Sequence, residues 1–219
     1  MSRKVVYKSI RKFLDKIGKR LNQYNVNPSQ LTLIGLLFNA LGCLLFAYGH
    51  FFSGSFVIWF AAIFDMLDGA VARASGQETR FGAFIDSVID RYSDFFIFGG
   101  ILIYFVRTSQ LALAMLVLVV IAGAALTSYT KARAENIIEH CDVGWVERPE
   151  RIFIICAAGI FGFMIQALWI LAFMTHLTAL QRIYHTWKET TDSPITPKSP
   201  QQKDKTGKST KEPQKSRWN

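Results

Sequence analysis

The sequence predicts an all-α integral membrane protein: six transmembrane helices preceded by an amphipathic interfacial helix. Three observations carry this reading. No Asp, Glu, Lys or Arg occurs between Leu21 and Phe64, and further long apolar stretches follow. Hydrophobic residues make up 51% of the 219-residue chain and charged residues 19%, against about 25% charged in an average soluble domain. All but one of the 25 Lys and Arg residues fall at the two ends or on alternate connections between apolar stretches, as positive charge does on the cytoplasmic side of a membrane. These features exclude a disordered chain and argue against an ordinary soluble enzyme.

Three regions follow from this: an amphipathic juxtamembrane helix (1–27), a six-span body (28–188) and a basic tail (189–219). In the first, Val6, Ile10, Phe13, Leu14, Ile17 and Leu21 recur at helical spacing. Lys4, Lys8, Arg11, Lys12, Lys16 and Lys19 lie between them. Such a helix rests in the headgroup plane of anionic lipid. A net charge of +9 also raises a nucleic-acid arm; the apolar body argues against it, and no nucleic-acid partner is expected. The first apolar run begins after Pro28 and lacks the short core and small-residue cleavage site of a removable signal.

The uncharged stretch from Leu21 is longer than one span of about 20 residues. His50–Ser55 divides it into Leu31–Gly49 and Phe56–Ala74, and Pro28 suits a first helical turn. Spans three and four fall at Phe81–Val106 and Leu111–Ala132, separated by Arg107–Gln110. The last apolar stretch, Ile152–Gln181, is long for one span and short for two. Gly159 and Gly162 offer a break, so two short helices are expected near Arg148–Phe161 and Met164–Trp187. Five spans is the alternative. Charge favours six, because only Arg107 lies on the opposite side. Both termini are then cytoplasmic, at the cell membrane, and the number of spans is even. From Glu189 the chain is mostly Thr, Ser, Pro, Gln and Lys, too polar to offset the entropy of ordering, so a disordered tail is expected. Cys43, Cys141, Cys156 and the four histidines show neither disulfide nor zinc spacing.

One stretch is unlike lipid-facing helix. Asp65 and Asp68 stand at i, i+3 and Asp86 and Asp90 at i, i+4, so each pair shares one helix face. If the two helices run antiparallel, the pairs face each other at the cytoplasmic end. An Asp at the bilayer centre costs roughly 2.5–3.5 kcal/mol on insertion scales, and clustered anions repel. Bound divalent cations relieve both, and an all-oxygen set suits magnesium, manganese or calcium. Gly69 and Gly82 leave room for a ligand to approach, and Arg73 offers a fork of donors for a diphosphate. Taken singly, the acids equally suit a proton relay in an ion- or proton-coupled transporter, and the glycines helix packing.

The full pattern is D-x2-D-G-x2-A-R-x8-G-x3-D-x3-D, from Asp65 to Asp90. A chance match in a chain of this length is on the order of 10⁻⁷ at average residue usage. The pattern resembles the signature of the CDP-alcohol phosphatidyltransferases, membrane enzymes that move a phosphatidyl-type group from a CDP-lipid to an alcohol and release CMP. The resemblance implies that Asp65, Asp68 and Asp86 hold Mg²⁺ or Mn²⁺, as two ions. It gives Asp90 a second metal or the general base, and Gly69, Arg73 and Gly82 the CDP-diphosphate. It also implies a homodimer.

Three further stretches look like the inositol-phosphate branch of the same family: Ser128-Tyr129-Thr130-Lys131-Ala132-Arg133-Ala134-Glu135, Glu147-Arg148-Pro149-Glu150-Arg151 and Gln181-Arg182. They imply transfer to myo-inositol 1-phosphate, with Lys131, Arg133, Arg151 and Arg182 binding the acceptor phosphate. Glycerol 3-phosphate is the alternative acceptor. The plainer reading makes these cations anchors of the cytoplasmic side. Arg148 is expected either to help bind the phosphate or to pair with Glu147 or Glu150.

Overall fold

The computed structural model describes residues 14–21, 23–24, 27–76 and 79–191. Its helices are α1 (Pro28–Ala47), α2 (Phe51–Ser75), α3 (Arg80–Arg107), α4 (Leu111–Ala134), α5 (Arg148–Phe161) and α6 (Met164–Thr191). Residues 14–21 form a further stretch of helix ahead of them. Of the expected amphipathic helix, residues 1–13, 22, 25 and 26 lie outside the described residues, as does the expected tail from 192 onward. The last helix runs to Thr191, past the expected tail boundary at 189.

The local signals act where the sequence places them, with one exception. Pro28 opens α1, Thr79 caps α3 by accepting from the Gly82 amide at 2.9 Å, and Glu147 and Glu150 form a capping box at α5. Gly162, at φ +80°, ends α5 in the left-handed conformation, so the last apolar stretch is indeed two helices. The exception is the break expected at His50–Ser55. The reversal takes only Tyr48–His50, with Gly49 at φ +82°, and α2 begins at Phe51. The small residues taken for a break pack instead: Ser55 is buried against Gly159 of α5.

α1 packs against both α2 and α3, α2 against α5, α3 against α4, and α4 against α6. Several contacts bring backbones close. A side chain at Gly100 of α3 would strike the Cys43 backbone of α1, and one at Gly123 of α4 would strike Thr175 of α6. This is how helices associate in lipid, where apolar burial against a neighbour gains little over burial in acyl chains. The acidic ends of α2 and α3 face each other as expected, without the helices packing together. The two make almost no direct contact, because α1 bridges them and leaves a gap between their polar ends.

Four helices, α1, α2, α4 and α6, are long and apolar enough to cross a membrane. The other two expected spans fall short for physical reasons. α3 has 28 residues but carries Asp86, Asp90, Arg91 and Asp94 in its first 15. α5 has 14 residues, about 21 Å of helix against a hydrocarbon core of about 30 Å. The helices nonetheless alternate in direction. Arg107 at the end of α3 donates to Ala47 O at the end of α1, at 3.2 Å. At the opposite end, Arg148 of α5 meets α2 and α3, and Arg182 of α6 meets the 135–147 connection. Both ends of the six-helix unit therefore emerge on one side, the side that holds the acidic motif.

Candidate active site

The carboxylates of the motif sit at the polar end of the gap between α2 and α3. Carboxylate oxygens of Asp65, Asp68 and Asp86 can all lie within 4.8 Å of one another. Asp68 is buried, Asp65 half-buried and Asp86 exposed. Thr32 of α1 donates to Asp68 Oδ2 at 2.6 Å, orienting that carboxylate from the third wall. Asp90, one turn beyond Asp86, stands outside this group of three.

Arg148 engages Asp90 instead. Its Nη1 lies 2.7 Å from Asp65 Oδ2 and 2.5 Å from Asp90 Oδ1, and its Nε 4.0 Å from Asp94 Oδ1. Where proximity in sequence suggests Glu147 or Glu150 as partners, this guanidinium reaches across to the acidic residues of α2 and α3. Arg151 follows one turn later, with Nη2 2.6 Å from Asp94 Oδ2. Arg91 Nη1 is 3.9 Å from Asp90 Oδ2. Asp65, Asp68, Asp86, Asp90 and Asp94 thus face Arg91, Arg148 and Arg151, an excess of negative charge that one divalent ion would cancel. The donor set, Asp65, Asp68 and Asp86, is all oxygen. It fits Mg²⁺ or Mn²⁺.

Beside this group opens a cavity of about 650 Å³. α1 contributes Pro28, Ser29 and Thr32; α2 contributes Asp68, Gly69, Ala72 and Arg73; α3 contributes Gly82, Ala83 and Asp86. The three residues assigned to a diphosphate therefore line one space together with two of the clustered carboxylates. Its size is that of a small-molecule pocket. Arg73 is also tied back to residues 14–21: its Nε donates to Asp15 Oδ1 at 3.1 Å.

The four cations assigned to the acceptor divide. Arg182 is buried, with Nη1 on Thr127 O at 2.6 Å, Nε on Val143 O at 2.9 Å and Nη2 on Glu147 Oε1 at 2.7 Å. Lys131 Nζ reaches the same Glu147 oxygen at 3.2 Å. Arg151 is held by Asp94, and Arg133 is exposed at the end of α4. Three of them already have carboxylate partners: Glu147 is shared by Lys131 and Arg182, and Asp94 takes Arg151. Sequence reasoning did not single out Thr32, Asp15 or Asp94, and it named Glu147 only as a neighbour for Arg148. Only Asp94 had a local signal, continuing the i, i+4 row of Asp86 and Asp90.

The profile of CDP-alcohol phosphatidyltransferase matches residues 25–186. The chain belongs to this family. It is therefore a multi-pass membrane enzyme of phospholipid biosynthesis, a CDP-alcohol phosphatidyltransferase that binds metal and acts on a CDP-lipid. Curated relatives include the phosphatidylinositol phosphate synthase of Mycobacterium marinum, 39% identical over 184 residues, 78% of each chain. The archaetidylinositol phosphate synthase of Pyrococcus horikoshii is 35% identical, over 80% of this chain and 91% of its own. Among solved structures, the Mycobacterium tuberculosis phosphatidylinositol phosphate synthase with CDP-DAG bound superposes with a TM-score of 0.72 at 33% identity, covering 80% of this chain and 94% of that one. The same enzyme in complex with manganese and citrate gives 0.71, covering 80% and 88%.

Proposed function

We propose that this phosphatidyltransferase transfers the phosphatidyl-type group of a CDP-lipid to myo-inositol 1-phosphate, releasing CMP. Supporting this most directly is the similarity to phosphatidylinositol phosphate and archaetidylinositol phosphate synthases across about four fifths of the chain. The cations agree with it: Lys131 and Arg182 gather at the 135–147 connection, next to the carboxylates on Arg148 and Arg151. A dianionic phosphate entering beside aspartates needs such cations, and Arg–phosphate bonds select for it geometrically.

In this reading the CDP-lipid diphosphate lies over Gly69, Arg73 and Gly82. Asp65, Asp68 and Asp86 hold divalent metal, which when bound spreads the charge that develops on the phosphates. Asp90 accepts the proton of the attacking hydroxyl as that oxygen bonds to the β-phosphorus and CMP departs. Lys131, Arg133, Arg151 and Arg182 form the acceptor-phosphate wall, with Glu147 giving way at Lys131. Six helices cross the membrane, the short α5 with local thinning of the bilayer and the charged start of α3 on the cytoplasmic side; both ends and the site face the cytoplasm, and the enzyme works as a homodimer.

The test is purified protein with Mn²⁺ and either CDP-diacylglycerol or CDP-archaeol, offered a panel of alcohols and their phosphates, with CMP measured. Inositol 1-phosphate is expected to give the fastest release. Faster release with free inositol or serine overturns the phosphate wall, and a preference for glycerol 3-phosphate keeps the wall but changes the acceptor. For orientation, a single cysteine at Ser109 in a Cys-free background should label from outside the cell. Labelling only from inside reverses the topology.

A further inference from the structure

Residues 14–21 meet α2 through two matched pairs. Asp15 and Gly18 stand at i, i+3 on the first helix, and Ala70 and Arg73 at i, i+3 on the second, so each pair shares a face. At one contact Gly18 is buried, and a Cβ there would come within 2.6 Å of Ala70 O. The two backbones touch, and only glycine permits it. At the other, Asp15 Oδ1 takes both Arg73 Nε and Nη2, each at 3.1 Å. That grip uses one edge of the guanidinium. The remaining nitrogen, Nη1, lies 3.4 Å from where a Cβ on Gly69 would stand, at the wall of the 650 Å³ cavity.

We propose that Asp15 is a positioning residue for nucleotide binding: by holding the Nε/Nη2 edge of Arg73 it aims Nη1 across Gly69 into the cavity, so the docked juxtamembrane helix is a working part of the CDP-lipid site. This rests on the reading that the cavity takes the diphosphate of the CDP-lipid. The pair is about one-third exposed, with side-chain exposures of 31% and 39%, so its contribution to stability is small. Its role is geometric: a flexible arginine tethered along one edge has fewer orientations to lose when a diphosphate binds the other.

The sign of one substitution separates this role from that of a plain counterion. A counterion weakens anion binding, so removing its charge tightens the complex. A positioning carboxylate does the reverse. The probe is CDP, titrated calorimetrically into the detergent-solubilised full-length protein with Mn²⁺. Asp15→Asn is expected to raise the CDP Kd and the KM for CDP-diacylglycerol at least about fivefold. It should leave kcat within about twofold and Mn²⁺ binding unchanged, and Asp15→Glu should restore most of the affinity. Gly18→Val, which forces the helix off Ala70, should reproduce the Kd and KM change. In an Arg73→Ala background Asp15→Asn should add nothing. An unchanged or lower CDP Kd in Asp15→Asn, with Arg73→Ala still weakening CDP, overturns the proposal alone. If Arg73→Ala itself leaves the CDP Kd unchanged, the diphosphate reading of the cavity fails, and the proposal with it. Circular dichroism melts matched to the parent keep a loss of affinity from being a loss of fold.

Discussion

Arg148 joins the two halves of the acidic motif: one of its nitrogens, Nη1, lies 2.7 Å from Asp65 of α2 and 2.5 Å from Asp90 of α3. α2 and α3 barely touch each other, so the first residue of α5 supplies the cationic contact between them. A guanidinium held among carboxylates is stabilised by all of them, and the same carboxylates then meet a metal with part of their charge already answered.

Replacing Arg148 by Met should therefore act in opposite directions on fold and on metal. Stripping a buried pair of one partner costs about 3–5 kcal/mol, less here because Asp65 and Asp90 are partly solvated. The melting temperature without metal should fall by several degrees, and saturating Mn²⁺ should recover most of the loss. The Mn²⁺ Kd, followed by electron paramagnetic resonance, should drop severalfold because a competing cation is gone. A melting temperature and a Kd both equal to the parent's would show that the contact matters to neither.

Thr32 should govern metal affinity from outside the ligand set. Its hydroxyl donates to Asp68 Oδ2 at 2.6 Å, and groups that orient a ligand carboxylate are typically worth 10–100-fold in metal affinity. Thr32→Val is expected to raise the Mn²⁺ Kd about tenfold, with Thr32→Ser close to the parent. Equal metal binding in Thr32→Val would reduce this contact to helix packing.

Asp68 and Asp90 should separate binding from chemistry. Asp68→Asn or Asp86→Asn should remove both Mn²⁺ binding and CMP release. Asp90→Asn should retain Mn²⁺ and CDP binding while slowing CMP release about 10²–10⁴-fold, the usual contribution of a general base. Loss of metal binding in Asp90→Asn would make it a ligand instead.

The acceptor wall is best tested at Lys131. Its pair with Glu147 is 34% and 43% exposed, so truncation removes a phosphate partner with little effect on stability. Lys131→Ala should raise the KM for inositol 1-phosphate about tenfold and leave the CDP Kd alone. Arg182→Ala is less informative, because that buried side chain also joins Thr127, Val143 and Glu147 and its loss should lower the melting temperature. An unchanged acceptor KM in Lys131→Ala would remove that residue from the wall.

What the sequence by itself determined is whatever depends on neighbours within a helical turn or on continuous apolar length. Helix boundaries followed hydropathy: the expected Arg148–Phe161 is the observed α5, and Leu111–Ala132 differs from α4 only by two residues at its end. The motif was legible because i, i+3 and i, i+4 spacings put Asp65 with Asp68 and Asp86 with Asp90 in any helix. Tertiary structure decided the partners. Arg148 and Asp65 are 83 residues apart, Arg73 and Asp15 58, and Thr32 and Asp68 36, and no local periodicity links such positions. It also decided that Gly54 and Ser55, which read as part of a break, are packing surface, since a helix in lipid gains its close contacts from missing side chains. A charge announces in the sequence that it needs a partner. Which partner it finds depends on which helix ends the bundle brings to the same side.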